Sequence, residues 1–131
     1  MGHKVLDVDD NPDIPAIMRR LLEKNGFSVR EAANGRRAIE QLNIELPDVM
    51  LLDMMMPEMS GLEVLQVVRA DKRTATLPIV MVTAKQEDTD VIASYERGAD
   101  YYVTKPYTND QLLHSIAAVL NKPTIQAEAQ K

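Results

Sequence analysis

Four short apolar runs dominate the pattern of this chain, and each of them stops at a polar residue. Each run has the length of a strand buried in a sheet. Segments with helical spacing of apolar residues lie between the runs and after the last one. Such strict alternation predicts a parallel sheet with helices on both faces. The runs are Val5-Leu6-Asp7-Val8, Val49-Met50-Leu51-Leu52, Ile79-Val80-Met81-Val82 and Tyr101-Tyr102-Val103-Thr104, followed respectively by Asp9-Asp10, Asp53, Thr83 and Lys105.

A fifth strand and five helices complete the predicted α/β fold. The alternating polarity of residues 27–32 predicts a half-buried edge strand. The other strands are predicted at 4–9, 49–53, 79–83 and 101–104, and alternation alone leaves their order in the sheet open. Helix boundaries are predicted from Asn11-Pro12, from Asn34-Gly35, from the capping boxes Ser60–Glu63 and Thr108–Gln111, and from the terminating glycines Gly26 and Gly98.

Length, charge and composition indicate one domain and exclude several classes of protein. The 131 residues suit a domain over residues 1–121, with residues 122–131 as a polar tail or a severed linker. A net charge of −5 opposes direct nucleic acid binding, and the lack of cysteine excludes disulfides and thiolate metal sites. No apolar run reaches the roughly 20 residues that a membrane helix needs. Without a signal-peptide pattern, we expect a cytoplasmic protein that does not insert into membranes.

Three aspartates follow two of the apolar runs. If these two runs are neighbouring parallel strands, their carboxyl ends open onto one crevice that holds Asp9, Asp10 and Asp53. Carboxylates at such short distances repel one another. A Mg²⁺ ion, which prefers oxygen ligands, relieves this repulsion by its positive charge. Taken alone, Asp9-Asp10-Asn11 is more often a turn and a helix cap. Asp53 favours the cation site, since a carboxylate that ends an apolar strand is costly to bury without a partner.

Thr83 and Lys105 occupy the equivalent positions after two other runs. A hydroxyl there can donate a hydrogen bond to a phosphoryl oxygen, and an ammonium can bind phosphate as a point charge. Taken alone, Thr83 is an ordinary strand residue and Lys105 an ordinary surface lysine. Pro106 can follow a cis peptide bond, although bonds before proline are mostly trans. The polar residues that follow these four runs together indicate binding of a divalent cation and transfer of a phosphoryl group.

These residues make the chain similar to the receiver domain of two-component response regulators, the family of the bacterial chemotaxis response regulator. The similarity covers about residues 4–121. It implies a flavodoxin-like, doubly wound, five-stranded parallel sheet of order 2-1-3-4-5 with five helices. Strands one and three are neighbours in that order. The residues that carry the resemblance are Asp9-Asp10, Asp53 with Pro57 and Gly61, Thr83-Ala84, and the stretch Gly98-Ala99-Asp100-Tyr101-Tyr102-Val103-Thr104-Lys105-Pro106-Tyr107.

The resemblance implies a phosphorylation-dependent signalling domain rather than an enzyme. Asp53 would accept a phosphoryl group from a sensor histidine kinase or a phosphotransfer protein. Asp10, Asp53 and the backbone carbonyl of Met55 would ligate Mg²⁺ or Mn²⁺, with Asp9 acting largely through water. Such a domain assists its own phosphorylation and dephosphorylation.

A conformational switch is a further implication of the resemblance. Lys105 and Thr83 would contact the phosphoryl group, Thr83 would move toward it, and Tyr102 would turn inward into the vacated space. The surface of the fourth helix, fifth strand and fifth helix would then change its affinity for a downstream effector or an output domain. Without the resemblance, Tyr102 is an aromatic residue of an edge strand. The family leaves room for a homodimer through the fourth and fifth helices, which nothing in the sequence supports.

Three residues distinguish this chain within the family: Asp7, Met55 and Lys85. Asp7 stands where the family usually has an apolar side chain, so we expect a raised pKa or a polar neighbour. Because side chains alternate along a strand, Asp7 should share a face with Asp9 and point into a helix layer. Met55 and Lys85 lie at the positions that tune acyl phosphate hydrolysis in the family. Met55 orients water poorly and Lys85 can cover the phosphoryl group, so we expect a long-lived phosphoaspartate.

Three rival interpretations stay open at this point. In a haloacid-dehalogenase-type phosphatase, Asp7 would be the nucleophile and Asp9 the acid–base, but few apolar residues precede Asp7 and only Asp110 follows Lys105 as a late acidic motif. A receiver that works without phosphorylation usually lacks the acceptor, the acidic pair or the lysine, all of which are present. A nucleotide- or flavin-binding domain is disfavoured because no glycine-rich loop follows the first strand.

Overall fold

The computed structural model describes residues 3–10, 16–84 and 87–120, in which strands and helices alternate throughout. Among these residues no helix is long and apolar enough to cross a membrane. The predicted cap Asn11-Pro12, the residue Lys85 and the tail 122–131 lie outside the described residues. The elements are β1 His3–Val8, α1 Ala16–Lys24, β2 Phe27–Ala32, α2 Gly35–Ile44, β3 Val49–Leu52, α3 Gly61–Ala70, β4 Ile79–Thr83, α4 Asp88–Glu96, β5 Tyr101–Thr104 and α5 Asn109–Leu120.

The strands form one parallel five-stranded sheet in the order β2-β1-β3-β4-β5. This order confirms the flavodoxin-like α/β topology that the resemblance implied. β1 pairs directly with β3, with Val8 opposite Leu52, so the carboxyl ends of these strands lie side by side. The predicted edge position of β2 is also confirmed, and only Ala32 of its residues is buried.

Helices cover both faces of the sheet, and each face has its own apolar cluster. Every residue of β3 and β4 is buried, which confirms the burial predicted from their continuous apolar character. The first cluster takes Ala38, Leu42, Val64, Leu65 and Val68 from α2 and α3, and the second takes Leu22, Leu112, Ile116 and Val119 from α1 and α5.

The helix boundaries follow the predicted local signals. Ser60 accepts a hydrogen bond from the Glu63 amide, and the Glu63 carboxylate accepts one from the Ser60 amide, which completes the capping box of α3. An equivalent reciprocal pair joins Thr108 and Gln111 before α5. Left-handed glycines follow α1 and α4, as predicted, with φ angles of 88° at Gly26 and 107° at Gly98.

Candidate functional site

The paired ends of β1 and β3 bring the predicted aspartates together. Both strands end one residue earlier than predicted, because the chain leaves the ladder at Asp9 and Asp53. Backbone hydrogen bonds still tie these residues to the sheet, from the Asp9 amide to the Ala32 carbonyl at 3.1 Å and from the Asp53 amide to the Val8 carbonyl at 3.0 Å. Carboxylate oxygens of Asp9, Asp10 and Asp53 lie within 4.8 Å of one another. Asp53 is buried, Asp9 is partly buried and Asp10 is exposed.

Lys105 joins this cluster from the end of β5. Its Nζ lies 2.8 Å from Oδ2 of Asp9 and 3.3 Å from Oδ2 of Asp53. The Lys105 amide donates to the Thr83 carbonyl at 2.9 Å, and the bond from Lys105 to Pro106 is cis. Burial lowers the pKa of Lys105, but the hydrogen bond to Asp9 and the charges of Asp53 and Asp9 outweigh it, so the pKa is raised. The side chain therefore stays an ammonium at neutral pH and faces two carboxylates.

The loop between β3 and α3 fixes the orientation of Asp53. The Met55 amide donates to Oδ1 of Asp53 at 3.0 Å. The Gly61 amide donates to the Met54 carbonyl at 2.9 Å, which folds the start of α3 back against the end of β3. A Cβ at Gly61 would lie 2.3 Å from the Asp53 carbonyl oxygen, so only glycine fits there. Sequence reasoning noted Gly61 as part of the family pattern but missed this packing role, for which its place behind Ser60 is the only signal.

Thr83 and Tyr102 lie on one face of the sheet, the face that carries the first apolar cluster. Thr83 is fully buried and closes β4, where it pairs with Thr104. Tyr102 pairs with Met81 and packs partly buried against the first apolar cluster. Burial raises the pKa of Tyr102 to about 12, with further contributions from the charges of Asp90 and Asp53. The tyrosine therefore stays neutral and lies within the electrostatic reach of the carboxylate cluster.

Asp7 lies inside β1, between Glu31 of β2 and Leu51 of β3. Leu51 belongs to the second apolar cluster, so Asp7 lies on the face that α1 and α5 cover, as predicted. Burial raises the pKa of Asp7 to about 7, helped by the negative charges of Asp9 and Glu31. The expectation of a raised pKa is confirmed. Asp7 lies one residue before the end of β1.

Comparison with known proteins identifies relatives of the whole described fold. The family model for the response regulator receiver domain matches residues 5–117. The phosphate regulon transcriptional regulatory protein PhoB of Klebsiella pneumoniae is 38% identical over 93% of this chain and 53% of the relative. The alkaline phosphatase synthesis transcriptional regulatory protein PhoP of Bacillus subtilis is 35% identical over 100% of this chain and 54% of the relative. This chain therefore spans about half the length of these relatives.

Solved structures show the same relationship. The chemotaxis protein CheY4 of Vibrio cholerae is 30% identical with a TM-score of 0.84, covering 91% of this chain and 99% of that protein. A CheY-like response regulator receiver domain protein from Methanospirillum hungatei is 26% identical with a TM-score of 0.85, covering 96% and 99%. Fold, aspartate cluster and matched family model agree, and the chain belongs to the response regulator receiver domain family of two-component signalling.

Proposed function

We propose that Asp53 is the phosphoacceptor of a signalling switch that receives its phosphoryl group from a histidine kinase or a phosphotransfer protein. One observation carries the proposal: carboxylates from β1 and β3 and the ammonium of Lys105 meet at one point of the sheet. A purely structural role would not explain why three aspartates, one of them buried, lie next to one another. The proposed site is cytoplasmic, where such donors are expected for this family.

The aspartate cluster fits a hard divalent cation. Its donors are carboxylate oxygens, and they are close enough to share one ion. We assign Asp10 and Asp53 as direct ligands of Mg²⁺ or Mn²⁺, with the Met55 carbonyl as a further ligand and Asp9 acting through water. A bound cation supplies positive charge that neutralises the aspartates and stabilises the phosphoryl oxygens.

Asp53 and Lys105 have different roles in the proposed transfer of the phosphoryl group. An oxygen of Asp53 forms the new bond to phosphorus while the bond from phosphorus to the donor's histidine nitrogen breaks, and that nitrogen keeps the electron pair. Asp53 is held ready for this by the Met55 amide, which binds one of its two oxygens. Lys105 already lies beside the other oxygen and supplies positive charge to the incoming group.

Thr83 and Tyr102 are the proposed switch residues. Both lie on one face of two neighbouring strands, so a shift of Thr83 toward the phosphoryl group opens space on the side where Tyr102 packs. Inward rotation of Tyr102 then changes the surface of α4, β5 and α5. This biases a pre-existing equilibrium rather than building a new structure.

The partner of that surface is a downstream effector or an output domain. The chain spans about half of two relatives that are named as transcriptional regulatory proteins, which supports an output domain elsewhere in a longer protein. The acidic receiver itself does not bind nucleic acid in this proposal, and a homodimer through α4 and α5 stays a prediction. Residues 1–121 are proposed as the receiver, and residues 122–131 as a tail or linker.

Met55 and Lys85 are the proposed determinants of phosphoryl lifetime. Met55 is 55% exposed, lies in the loop after β3 and donates a hydrogen bond from its amide to Asp53, which supports a position for its side chain beside the path of an attacking water. A thioether accepts hydrogen bonds weakly and does not orient that water well. We therefore retain the expectation of a long-lived phosphoaspartate.

Intact-mass spectrometry with Mg²⁺ and acetyl phosphate tests the acceptor. We expect a single phosphoryl adduct that needs Mg²⁺ and disappears in Asp53→Asn. Asp48→Asn is the matched control, because Asp48 precedes the opposite end of β3 and should leave the adduct intact. An adduct that survives in Asp53→Asn would place the acceptor elsewhere and revive the phosphatase-like alternative. No adduct from acetyl phosphate or from a phosphorylated histidine donor would favour a receiver that works without phosphorylation.

A further inference from the structure

Three consecutive methionines follow the proposed phosphoacceptor, and only the middle one is exposed. The exposed fractions are 6% for Met54, 55% for Met55 and 9% for Met56. The outer two belong to the first apolar cluster, against which the partly buried Met59 also packs. Among the methionines whose side chains are described, Met55 alone is exposed. The fold therefore separates one accessible thioether from its chemically identical neighbours.

The accessible thioether belongs to the residue whose backbone amide donates a hydrogen bond to the Asp53 carboxylate. The hydrogen bond of 3.0 Å from the Met55 amide to Oδ1 of Asp53 fixes the start of the Met55 side chain beside the carboxylate. Oxidation of methionine produces a sulfoxide, which turns a flexible apolar side chain into a polar one. A change of this kind at Met55 occurs two residues from Asp53, the proposed phosphoacceptor.

We propose that Met55 is an oxidation site and that its sulfoxide shortens the lifetime of the acyl phosphate on Asp53. The second half of the proposal rests on the proposed function of Asp53. The oxidant is a hydroperoxide such as hydrogen peroxide. The sulfur lone pair attacks one peroxide oxygen, the O–O bond breaks, an S–O bond forms, and the other oxygen leaves as water after proton transfer. Sulfur is oxidised and the peroxide is reduced.

The expected effect follows from the hydrogen-bonding capacity of the two side chains. A thioether sulfur is a weak acceptor. A sulfoxide oxygen carries a large negative partial charge, so it can accept a hydrogen bond from a water molecule beside the phosphorus. That hydrogen bond aims a lone pair of the water oxygen at the phosphorus. Orienting the attacking water lowers the barrier to hydrolysis. Peroxide would then shorten the signal, and sulfoxide reductases, which reverse the modification, would restore it.

Peptide mapping after mild hydrogen peroxide treatment tests the first half. Trypsin should release residues 38–69 as one peptide that carries Met50, Met54, Met55, Met56 and Met59. Fragmentation then assigns each oxygen to its residue. We expect Met55 to be oxidised several-fold faster than Met54 and Met56, since susceptibility follows exposure. Equal rates for the three would overturn the proposal. This readout needs no phosphorylation, so it is independent of the function proposed for Asp53.

The decay of the phosphorylated protein, followed by intact mass before and after peroxide, tests the second half. We expect peroxide to speed the decay of the parent by at least about twofold, and sulfoxide reductase treatment to restore the original rate. Met55→Leu should decay at one rate with or without peroxide, whereas Met59→Leu should respond like the parent. A peroxide response that persists in Met55→Leu would overturn the proposal. Failure of the untreated parent to take up phosphoryl groups would instead overturn the function proposed for Asp53, and with it this second half.

Discussion

At the scale of single residues, Asp7 is where burial and charge conflict most directly. It lies in a central strand, beside Glu31 and close to the carboxylate of Asp9. Its pKa of about 7 means that the folded protein resists ionising this carboxyl group. The usual pKa near 3.8 applies once the chain unfolds. The stability of the fold therefore depends on the ionisation of one side chain that the proposed reaction does not use.

We predict that Asp7→Val stabilises the protein, and more strongly at high pH. Below about pH 4 Asp7 is protonated in both states and contributes nothing to the pH dependence. Between about pH 4 and 7 the unfolded state loses the proton first, so the contribution of Asp7 becomes unfavourable and reaches its full size above pH 7. From the pKa shift that contribution is about 4 kcal/mol at most. Thermal unfolding with EDTA at pH 5 and 8 should show a gain that grows with pH. An unchanged or lower melting temperature at pH 8 would contradict the interpretation of Asp7 as a partly buried charge that destabilises the fold.

Met55 yields a second prediction at this scale. Met55→Asn replaces a weak acceptor by an amide that can bind and orient water next to Asp53. We expect the phosphorylated protein to lose its phosphoryl group faster, by about tenfold or less, with little effect on stability because the side chain is exposed. The rate of loss of the adduct by intact mass is the measurement, with Met59→Asn as the control. Decay no faster than in the parent would count against Met55 as a determinant of lifetime.

At the scale of elements, the return of the chain from β3 into α3 decides the geometry of the acceptor. The capping box at Ser60 starts the helix, and Gly61 brings it into contact with the backbone of Asp53 and Met54. The capping box is readable from sequence because both partners lie within one turn. The close approach at Gly61 is not readable, since it depends on how β3 and α3 cross in space.

Gly61→Ala should therefore damage both the fold and the proposed site. The added Cβ meets backbone atoms, which cannot rotate away, so we expect a loss of about 1 to 3 kcal/mol and slower uptake of the phosphoryl group at Asp53. Chemical denaturation and intact mass measure the two effects. Ser60→Ala is the control: it should cost about 1 kcal/mol through loss of the cap and leave phosphorylation nearly unchanged. Equal phosphorylation rates in Gly61→Ala and the parent would show that this contact does not position Asp53.

At the scale of the whole molecule, the fold concentrates negative charge at one end of the sheet. The net charge is −5. Three aspartates lie together at this end, and Lys105 forms ion pairs with two of them, Asp9 and Asp53. Repulsion within this cluster opposes folding, and a cation that binds only the folded state relieves it. Stability should thus depend on Mg²⁺ as well as on the apolar core.

We expect Mg²⁺ to raise the melting temperature. At a concentration about 100 times the dissociation constant, the gain is about 2.7 kcal/mol. Asp10→Asn and Asp53→Asn should lose most of this gain, whereas Asp48→Asn should keep it because Asp48 lies at the far end of the sheet. Differential scanning fluorimetry over a Mg²⁺ titration measures the effect. An identical response in Asp10→Asn and the parent would remove Asp10 from the proposed ligands.

Much of the candidate site could be predicted from sequence, because its members all stand at the ends of apolar runs. Asp9, Asp10, Asp53 and Lys105 are found together in the structure, as that position predicts. The strand order could not be derived in this way and came from the resemblance, because alternation is the same for every order of the strands. The exact strand ends were also missed by one residue at Asp9 and at Asp53, where backbone hydrogen bonds continue after the strand has ended.

The α/β class, the terminal polar residues and the helix caps can be read from the chain alone, since these depend on periods and motifs within a few neighbouring residues. Which distant residues meet depends on the tertiary fold. Lys105 contacts Asp9 across 96 positions of the chain, and Asp7 acquires its raised pKa from burial and from the charges of Asp9 and of Glu31 on the neighbouring strand. The tertiary fold also decides which of three identical methionines is exposed. Contacts, burial and electrostatic fields arise between elements, and no local pattern in the chain encodes them.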